Sequence, residues 1–391
     1  MALRENTNPI PEAPTEPDVS TDGPPESETG GVLTIDLGAI QSNFRALRTR
    51  CAPAECAAVV KADAYGCGIE PVVRALAEAG CKTYFVAHLA EGRKVRAVAP
   101  EAIIYALNGL PPGTAAAFAE AHVRPVLGSL HEVAEWDVFC IANEWRGGAA
   151  LHFDTGMNRL GIVADEAAAL AQRIKMPDHG VTLVMSHFAC AETPTHALNN
   201  RQVQLFREIR SLFRGIPASL ANSSGIFLGA SAHCDMVRPG YALYGGNPTP
   251  GSANPMTPVI GLRARIAQVR IVPRGETVGY GATWTAHRPS RIAIVSVGYG
   301  DGYLRAASGP DAKAGAEMMI GRERCRIVGR ISMDLLAVDV TALPDNAARR
   351  GEWATLIGGD LDIDTLAAQC GTIGYELMCS LGRRYARIYK Q

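Results

Sequence analysis

Lys61 directly follows residues 57–60, an apolar run with the length and character of a buried strand. Burial at such a strand end would lower the pKa of the amine and make it a nucleophile that can form a Schiff base with a carbonyl compound. A single lysine in this position is more often a solvated charge. Its chemistry therefore depends on which other residues the fold brings to the same place.

Two later apolar runs, residues 218–221 and 235–237, are also followed by residues that could bind a ligand. These segments are Asn222-Ser223-Ser224-Gly225 and Arg238-Pro239-Gly240. Small hydroxyl residues and glycine let backbone N–H groups approach phosphate oxygens closely. The first segment is equally typical of a helix N-cap, so both interpretations stay open on these residues alone.

A Schiff-base amine and an anchor for phosphate together indicate pyridoxal 5'-phosphate. Arg238 would then face the pyridine nitrogen, where a carboxylate usually keeps that nitrogen protonated. An arginine does not give up its proton and leaves the nitrogen unprotonated, which makes the ring a weaker electron sink. A weaker sink suits the removal and return of one proton, and racemisation fits that description.

Eight short apolar runs alternate with Ala- and Leu-rich helical stretches and would place these residues at strand ends. The runs are residues 57–60, 84–87, 102–107, 123–127, 149–153, 181–185, 218–221 and 235–237. Strands that are apolar throughout and separated by helices are typical of parallel sheets buried on both faces. We predict an α/β fold, a closed (β/α)8 TIM barrel, over an open doubly wound sheet, because the chain lacks G-x-G-x-x-G and P-loop motifs.

The chain divides into three segments of different composition. Residues 1–30 hold six prolines and seven acidic side chains, which predicts a disordered acidic tail. Residues 31–257 form the predicted cofactor-binding barrel. Residues 258–391 are rich in Val, Ile, Thr and Gly, with period-two alternation at 262–272 and 291–297, and predict a mainly β C-terminal domain.

The composition excludes several classes of protein. Of 391 residues 47% are hydrophobic, and a net charge of −1 gives no basic surface of the kind that binds nucleic acid. No run reaches the roughly 18 apolar residues that cross a bilayer. Ten cysteines occur without C-x-x-C or metal-ligand spacing, which predicts reduced thiols, no metal site and a cytoplasmic location.

Several ordered motifs resemble those of the alanine racemases. Residues 59–66, Val-Val-Lys-Ala-Asp-Ala-Tyr-Gly, resemble the pyridoxal phosphate attachment motif of that family. Further matches are found at residues 153–161, 186–189, 221–223, 237–245, 279–284, 298–303, 329–334 and 374–376. The resemblance covers residues 31–391 and implies the fold of these enzymes, fold type III, with a barrel and a C-terminal β domain.

The resemblance implies an isomerase that interconverts L-alanine and D-alanine. Supply of D-alanine for peptidoglycan is the predicted role, and consumption of D-alanine as a nutrient, which uses the same equilibrium, stays open. It also implies a homodimer in which the second domain of one subunit closes the barrel of the other. Lys61 would be the Schiff-base lysine and one base, and Tyr280 of the partner subunit would be the second, because inversion needs a proton taken from one face and returned to the other. His187 would hydrogen-bond both Tyr280 and Arg238.

The resemblance assigns the remaining residues of the site as well. Cofactor binding is implied for Lys61, Tyr65, His187, Asn222, Ser223, Arg238, Gly240, Tyr241 and Tyr375. Arg159 and Met333 would bind the substrate carboxylate, and Tyr299 and Arg330 would line the entrance. Hydroxyl groups of Tyr65, Ser223 and Tyr375 would hold the phosphate, together with backbone amides near Gly240 and Tyr241.

Two positions depart from the family pattern. His152 stands where many members carry a lysine that becomes carbamylated and hydrogen-bonds the arginine here numbered Arg159. A histidine cannot form that stable anion, so the sequence leaves the orientation of Arg159 open. Asp63 stands where many members have asparagine, a near-isosteric change.

The sequence leaves other functions in competition. The side chain of the preferred amino acid is open, because methyl and hydroxymethyl groups in a small pocket differ by only about 1 to 3 kcal/mol, so a racemase of serine or of a broader range is one alternative. A non-catalytic pyridoxal phosphate carrier shares the barrel and the lysine but lacks the second domain. A decarboxylase would need a carboxylate where Arg238 stands, and a metal-dependent hydrolase is disfavoured because no His-x-His pair occurs.

Overall fold

The computed structural model describes residues 20–174 and 180–391, which contain 21 strands and ten α-helices. The strands are β1 (Ser20–Asp22), β2 (Gly31–Asp36), β3 (Glu55–Cys56), β4 (Ala58–Val59), β5 (Thr83–Val86), β6 (Ile103–Ala106), β7 (Arg124–Leu127), β8 (Ala149–Asp154), β9 (Ile162–Val163), β10 (Val181–Met185), β11 (Ala218–Ser219), β12 (Met236–Val237), β13 (Ile260–Val272), β14 (Thr277–Val278), β15 (Trp284–Thr285), β16 (Ser290–Val295), β17 (Glu317–Ile320), β18 (Glu323–Val328), β19 (Leu336–Asp339), β20 (Trp353–Ile357) and β21 (Ala386–Lys390). The α-helices are α1 (Leu37–Cys51), α2 (Lys61–Tyr65), α3 (Ile69–Glu78), α4 (Leu89–Val98), α5 (Ala115–Glu120), α6 (Leu130–Asn143), α7 (Ala167–Arg173), α8 (Ala197–Leu212), α9 (Ile363–Cys370) and α10 (Gly374–Ser380).

Parallel strands of the first domain form a closed barrel. Their order is β4, β5, β6, β7, β8, β10, β11, β12 and β3. Because only Ala57 separates β3 from β4, these two pieces act as one strand whose ends pair with β12 and β5, and the sheet closes on itself. Helices cover the outside, so strands such as β5 are buried along their whole length. The predicted (β/α)8 barrel and the positions of its eight strands are confirmed.

Helix α1 shows how the sequence builds the outer layer. Leu37, Ile40, Phe44 and Leu47 recur at helical spacing and are all buried against the barrel. The Asp36 carboxylate accepts a hydrogen bond from the Ala39 N–H at 2.7 Å and so caps the start of the helix. Among the described residues, no helix is both long and apolar enough to cross a membrane.

The second domain is built around β13, a strand of 13 residues. It pairs antiparallel with β16, β2 and β20, and its residues alternate between buried and accessible along the first half of the strand. The alternating segments predicted at 262–272 and 291–297 are found as β13 and β16. The predicted mainly β domain after the barrel is therefore confirmed.

Strand β2 differs from the predicted domain division, which places residues 31–257 together in the barrel. It pairs antiparallel with β13, with Ile35 opposite Ile260 and Leu33 opposite Leu262, and it pairs in parallel with β21. The first strand of the folded chain is therefore a member of the C-terminal sheet. Local periodicity cannot reveal this pairing, because its partners lie more than 200 residues away in sequence.

The sequence predicts a disordered tail over residues 1–30. Residues 1–19 lie outside the described residues, and residues 20–30 contain ordered structure instead. Strand β1 pairs antiparallel with β21, and Ser20 lies opposite Tyr389. The Glu26 carboxylate lies 3.1 Å from Arg265 and 3.8 Å from Arg263, both on β13. The acidic composition of this segment indicates disorder, but the two arginines offset the charge of Glu26. The edge of the sheet at β21 provides backbone hydrogen-bond partners for β1.

Candidate active site

A cavity of about 610 Å³ opens at the carboxyl ends of the barrel strands. Ten of the predicted site residues line it, namely Lys61, Tyr65, Arg159, His187, Asn222, Ser223, Arg238, Gly240, Tyr241 and Tyr375. His152 lines it as well, on β8. Residues from seven separate parts of the sequence thus converge on one place, as parallel barrels require of side chains at strand ends.

The turn that carries Lys61 has an unusual backbone. Ala62, Asp63, Ala64 and Tyr65 each have φ near +54°, so helix α2 is a left-handed turn. This conformation costs roughly 1 to 2 kcal/mol per residue that is not glycine. Asp63 helps to hold the turn, because its carboxylate accepts a hydrogen bond from the Ile69 N–H at 3.0 Å and lies 3.5 Å from Arg383. The second of these contacts is an ion pair, which an asparagine would turn into a hydrogen bond with a neutral acceptor.

The environment of Lys61 favours the neutral amine. Burial lowers the pKa of Lys61 from its ordinary value, and the nearby positive charge of Arg159 lowers it further. Cys379 and Glu91 act in the opposite direction. A neutral amine is the form that attacks a carbonyl carbon and the form that accepts a proton.

One corner of the cavity is suited to phosphate. The Ser223 hydroxyl oxygen accepts hydrogen bonds from the backbone N–H groups of Gly240 at 3.0 Å and Ala242 at 3.1 Å, so its own proton is free to donate. A Cβ on Gly240 would lie 2.2 Å from the Tyr65 hydroxyl oxygen, so this position has to be glycine. Burial raises the pKa of Tyr65 and keeps its hydroxyl a hydrogen-bond donor. Asn222 acts on the same loop, where its side-chain oxygen accepts from the Gly225 N–H at 2.9 Å.

Two stacked tyrosines connect this corner to the second domain. Tyr241 and Tyr375 have ring centroids 3.9 Å apart with planes inclined by 12°. The Tyr241 hydroxyl donates to the Asp364 carboxylate at 2.7 Å, so only its backbone amide is left for a ligand. Burial raises the pKa of Tyr375 to about 12, which leaves this hydroxyl a neutral donor. Helices α9 and α10 thereby bring the hydroxyl group of Tyr375, a hydrogen-bond donor, to the cavity of the barrel.

Arg238 is a buried cation whose hydrogen-bond partners in the described residues are all neutral. Its guanidinium donates to the Ser219 hydroxyl at 2.5 Å, to the Ser186 carbonyl at 2.6 Å and to His187 Nδ1 at 3.3 Å. Burial lowers the pKa of Arg238 to about 10, so the group still carries its charge at neutral pH. A decarboxylase of this fold would need an acid here, and the structure has none in contact with this guanidinium among the residues it describes.

The two histidines of the cavity are neutral. Burial, followed by the positive charges of Arg238 and Arg159, places the pKa of His187 well below its ordinary value. Because Arg238 can only donate, His187 Nδ1 must accept, and the imidazole proton therefore lies on Nε2. His187 can then donate from Nε2 to a second group at the cavity mouth.

Arg159 stands on the loop after β8, and the backbone of this loop is held by one carboxylate. Asp154 accepts hydrogen bonds from the N–H groups of Gly156 at 2.9 Å, Met157 at 2.9 Å and Asn158 at 3.0 Å. Burial, with Arg238 and Arg159 nearby, lowers the pKa of His152 to about 4. His152 is therefore uncharged at neutral pH and does not replace the negative charge of a carbamylated lysine.

Because of His152, the stability of the fold depends on pH. The unfolded chain takes up a proton on this imidazole near pH 6.5 and the folded chain only near pH 4, so the free energy of unfolding falls as the pH falls between these values. This one group contributes about 1.4 kcal/mol per pH unit in that window. We expect His152→Gln to reduce the slope, measured by urea unfolding between about pH 4.5 and 6.5. The exposed His131→Gln serves as the control, and equal slopes in both variants would contradict the assignment.

Four predicted residues lie outside the cavity in the single chain. Tyr280 is 72% exposed, Met333 54% and Tyr299 44%. Tyr280 and Arg330 line a separate groove of about 720 Å³ on the second domain. A Cβ on Gly281 would lie 2.6 Å from Arg330, so Arg330 packs directly on the turn that carries Tyr280. One chain alone does not bring Tyr280 to Lys61.

Three residues near the cavity were missed by the sequence analysis. Glu91 accepts a hydrogen bond from the Ala62 N–H, Asp364 holds Tyr241, and Cys379 lines the cavity wall beside Lys61. Glu91 had a detectable signal, because it is the third residue of a helix that directly follows a barrel strand. Asp364 and Cys379 had none, since their partners are distant in sequence.

The fold and the cavity define a class of protein. Its members have a parallel α/β barrel and a C-terminal β domain, and their cavity contains a lysine at a strand end and a corner suited to an anion. Comparison with known proteins identifies the family within this class. The profile "Alanine racemase, N-terminal domain" matches residues 35–248, and "Alanine racemase, C-terminal domain" matches residues 259–389. An alanine racemase from Methylobacterium sp. (strain 4-46) is 55% identical over 363 residues, which are 93% of this chain and 98% of the relative. The chain belongs to the alanine racemase family, as its motifs predict.

Solved structures agree with this assignment. The crystal structure of alanine racemase from Bartonella henselae with covalently bound pyridoxal phosphate has a TM-score of 0.88 and 36% identity, covering 92% of this chain and 99% of that one. The biosynthetic alanine racemase from Pseudomonas aeruginosa has a TM-score of 0.85 and 38% identity, covering 93% of this chain and 100% of that one. These two alanine racemases therefore contain both domains of this chain.

Proposed function

We propose that this chain is a pyridoxal phosphate-dependent isomerase that interconverts L-alanine and D-alanine and supplies D-alanine for peptidoglycan. The observation that carries the proposal is the convergence of Lys61, a phosphate corner and Arg238 on one cavity. The relative at 55% identity is named alanine racemase, and the Bartonella henselae structure holds pyridoxal phosphate covalently. The C-terminal domain, matched over residues 259–389, argues against a carrier that has the barrel alone.

The residues of the cavity fit the cofactor. Ser223 and Tyr65 would offer hydroxyl protons to a phosphate, Lys61 would offer an amine whose pKa burial lowers, and Arg238 would offer a buried cation to the ring nitrogen. When bound, pyridoxal phosphate would supply a ring that withdraws electrons from the substrate α-carbon and acidifies its proton. An arginine at the ring nitrogen would keep this withdrawal moderate, which suits a reaction that only removes and returns one proton.

Two bases on opposite faces would move that proton. The Lys61 amine would take or give the proton at the α-carbon from the barrel side. Tyr280 of the partner subunit would act from the other side, since Tyr280 is exposed and lies outside the cavity of its own chain. His187 Nε2–H would donate to the Tyr280 oxygen and stabilise negative charge there, while Arg238 fixes the tautomer through Nδ1. Arg159 would orient the substrate carboxylate.

A homodimer is the assembly that would complete this site. Two large hydrophobic side chains that line the same groove as Tyr280 are exposed, namely Ile271 at 70% and Leu335 at 41%. Contiguous exposed apolar surface of this kind marks contact sites between proteins. We propose that this face covers the barrel mouth of a second copy and contributes Tyr280, the Met333 amide, and the entrance residues Tyr299 and Arg330.

We also propose a cytoplasmic location. All ten cysteines are free in the structure, and most are buried. Free, buried thiols are typical of proteins that fold under reducing conditions.

Growth on medium with and without D-alanine, in a strain from which this gene is deleted, would test the proposed role in peptidoglycan supply. We expect the strain to grow only when D-alanine is added.

Deuterium incorporation tests the reaction itself. We expect the cofactor-loaded chain to convert L-alanine in deuterated water to D-alanine that carries deuterium at the α-carbon, because the proton returned on the opposite face comes from a base in exchange with solvent. Both enantiomers would be followed by chiral chromatography and mass spectrometry. L-serine, L-lysine and L-arginine would be assayed in parallel to measure the substrate range. Absence of turnover on all four would overturn the proposal in favour of a carrier.

A further inference from the structure

Glu91 connects the Lys61 turn to the neighbouring barrel strand. One carboxylate oxygen accepts a hydrogen bond from the Ala62 N–H at 2.6 Å. The other accepts from the N–H groups of Ala87 at 2.8 Å and His88 at 3.2 Å, directly after β5. Hydrogen bonds to an ionised acceptor are roughly twice as strong as neutral ones, so this bridge is a substantial constraint on the residue that follows Lys61.

The left-handed turn needs an external acceptor at this position. Later amides of the turn find backbone partners, since Ala64 N–H donates to the Val60 carbonyl at 3.0 Å and Gly66 N–H donates to the Ala62 carbonyl at 2.9 Å. The Ala62 N–H donates to Glu91 instead. Because each residue of the turn is in an unfavourable backbone conformation, loss of that anchor would let the turn relax and move the Lys61 amine.

Glu91 also acts on the charge of the amine. Burial and Arg159 lower the pKa of Lys61, and the Glu91 carboxylate raises it. Two groups raise the pKa of Lys61, first Cys379 and then Glu91, and of these two only Glu91 is a carboxylate. An amine with a very low pKa would be readily neutral but would be a weak base for the α-proton.

We propose that Glu91 is a positioning residue for Lys61. Glu91 holds the left-handed turn by accepting the hydrogen bond of the Ala62 N–H and contributes a negative charge to the electrostatic potential at the amine. This inference rests on the proposed role of Lys61 as the Schiff-base lysine and goes beyond it. Glu91 does not touch the reacting atoms. Its effect is exerted through the backbone of the turn and through the electrostatic potential at the amine.

The chain contains a matched control in Glu132. Glu132 is likewise the third residue of a helix, α6, that follows a barrel strand. Its carboxylate accepts hydrogen bonds from the N–H groups of Leu110 at 2.9 Å and Gly128 at 2.8 Å. Glu132 thus has the same structural task without a lysine on the segments that it holds.

The test measures capture of pyridoxal phosphate by the full-length chain after its cofactor has been removed. Only the neutral amine attacks the aldehyde, so the rate of Schiff-base formation, followed by absorbance, rises with pH to a plateau and its inflection reports the pKa of Lys61. We expect Glu91→Gln to move the inflection to lower pH and to lower the plateau on the order of tenfold, because both the charge and one anchor are lost. Glu132→Gln should leave the inflection and the plateau unchanged.

Glu91→Asp separates the two effects and covers the case in which Glu91→Gln fails to fold. This variant keeps the charge but shortens the reach, so we expect the plateau to fall while the inflection stays near that of the wild-type chain. Thermal unfolding of each variant would report the purely structural cost. An unmoved inflection in Glu91→Gln, or an equal shift in Glu132→Gln, would overturn the inference. Absence of Schiff-base formation in the wild-type chain would instead overturn the proposed role of Lys61.

Discussion

Lys61→Ala is expected to abolish racemisation in both directions and to release the cofactor. Loss of a positioned acid–base group costs about 10² to 10⁴ in rate, and here the covalent attachment point of the cofactor is lost with it. Phosphate contacts from Ser223 and Tyr65 would remain and would give only reversible binding. The rate would be measured from L-alanine and from D-alanine, and retained cofactor by absorbance after desalting.

The control for this variant is Lys82→Ala. Lys82 is exposed and precedes strand β5 at the opposite end of the barrel from the cavity. We expect this variant to keep full activity and its full content of cofactor. Retention of the cofactor through desalting in Lys61→Ala would contradict the assignment of Lys61 as the attachment point.

The barrel was predictable because its physical requirements leave a local trace. Parallel strands covered by helices are buried on both faces, so each appears as a short uninterrupted apolar run. Once the runs are placed, closure of the barrel brings the residues after each strand together. This is why Lys61, His187, Ser223 and Arg238 could be grouped from sequence, although they are separated by up to 177 positions in the chain.

The remainder of the site depends on contacts that leave no such trace. The φ values near +54° after Lys61 extend over Ala62, Asp63, Ala64 and Tyr65, and of these residue types only aspartate is enriched in the left-handed region, so the sequence does not predict a left-handed turn. The pairing of β2 with β13 and the bond from Tyr241 to Asp364 join segments more than 100 residues apart. Glu26 illustrates the same limit, since its acidic neighbourhood indicates disorder until Arg263 and Arg265 are seen beside it.

Tyr280→Phe is expected to lower racemisation about 10² to 10⁴-fold while leaving the cofactor attached, because it removes one of two bases and touches no phosphate contact. The structure makes a sharper prediction, since Tyr280 is 72% exposed and lies outside the cavity of its own chain. We expect mixed dimers of a Lys61→Ala chain and a Tyr280→Phe chain to regain about half of the wild-type activity, because one of their two sites is intact. Co-expression with two different affinity tags would isolate these dimers for assay.

The logic of this complementation depends on which subunit supplies each base. In a mixed dimer the Tyr280→Phe chain contributes Lys61 and the Lys61→Ala chain contributes Tyr280, so one complete site forms and the other lacks both bases. If Tyr280 instead reached Lys61 of its own chain, both sites of the mixed dimer would be incomplete and no activity would return. Dimers of each single variant, isolated through the same tags, give the two baselines. A mixed dimer no more active than these baselines would therefore reject the shared site, even if each variant were inactive as expected.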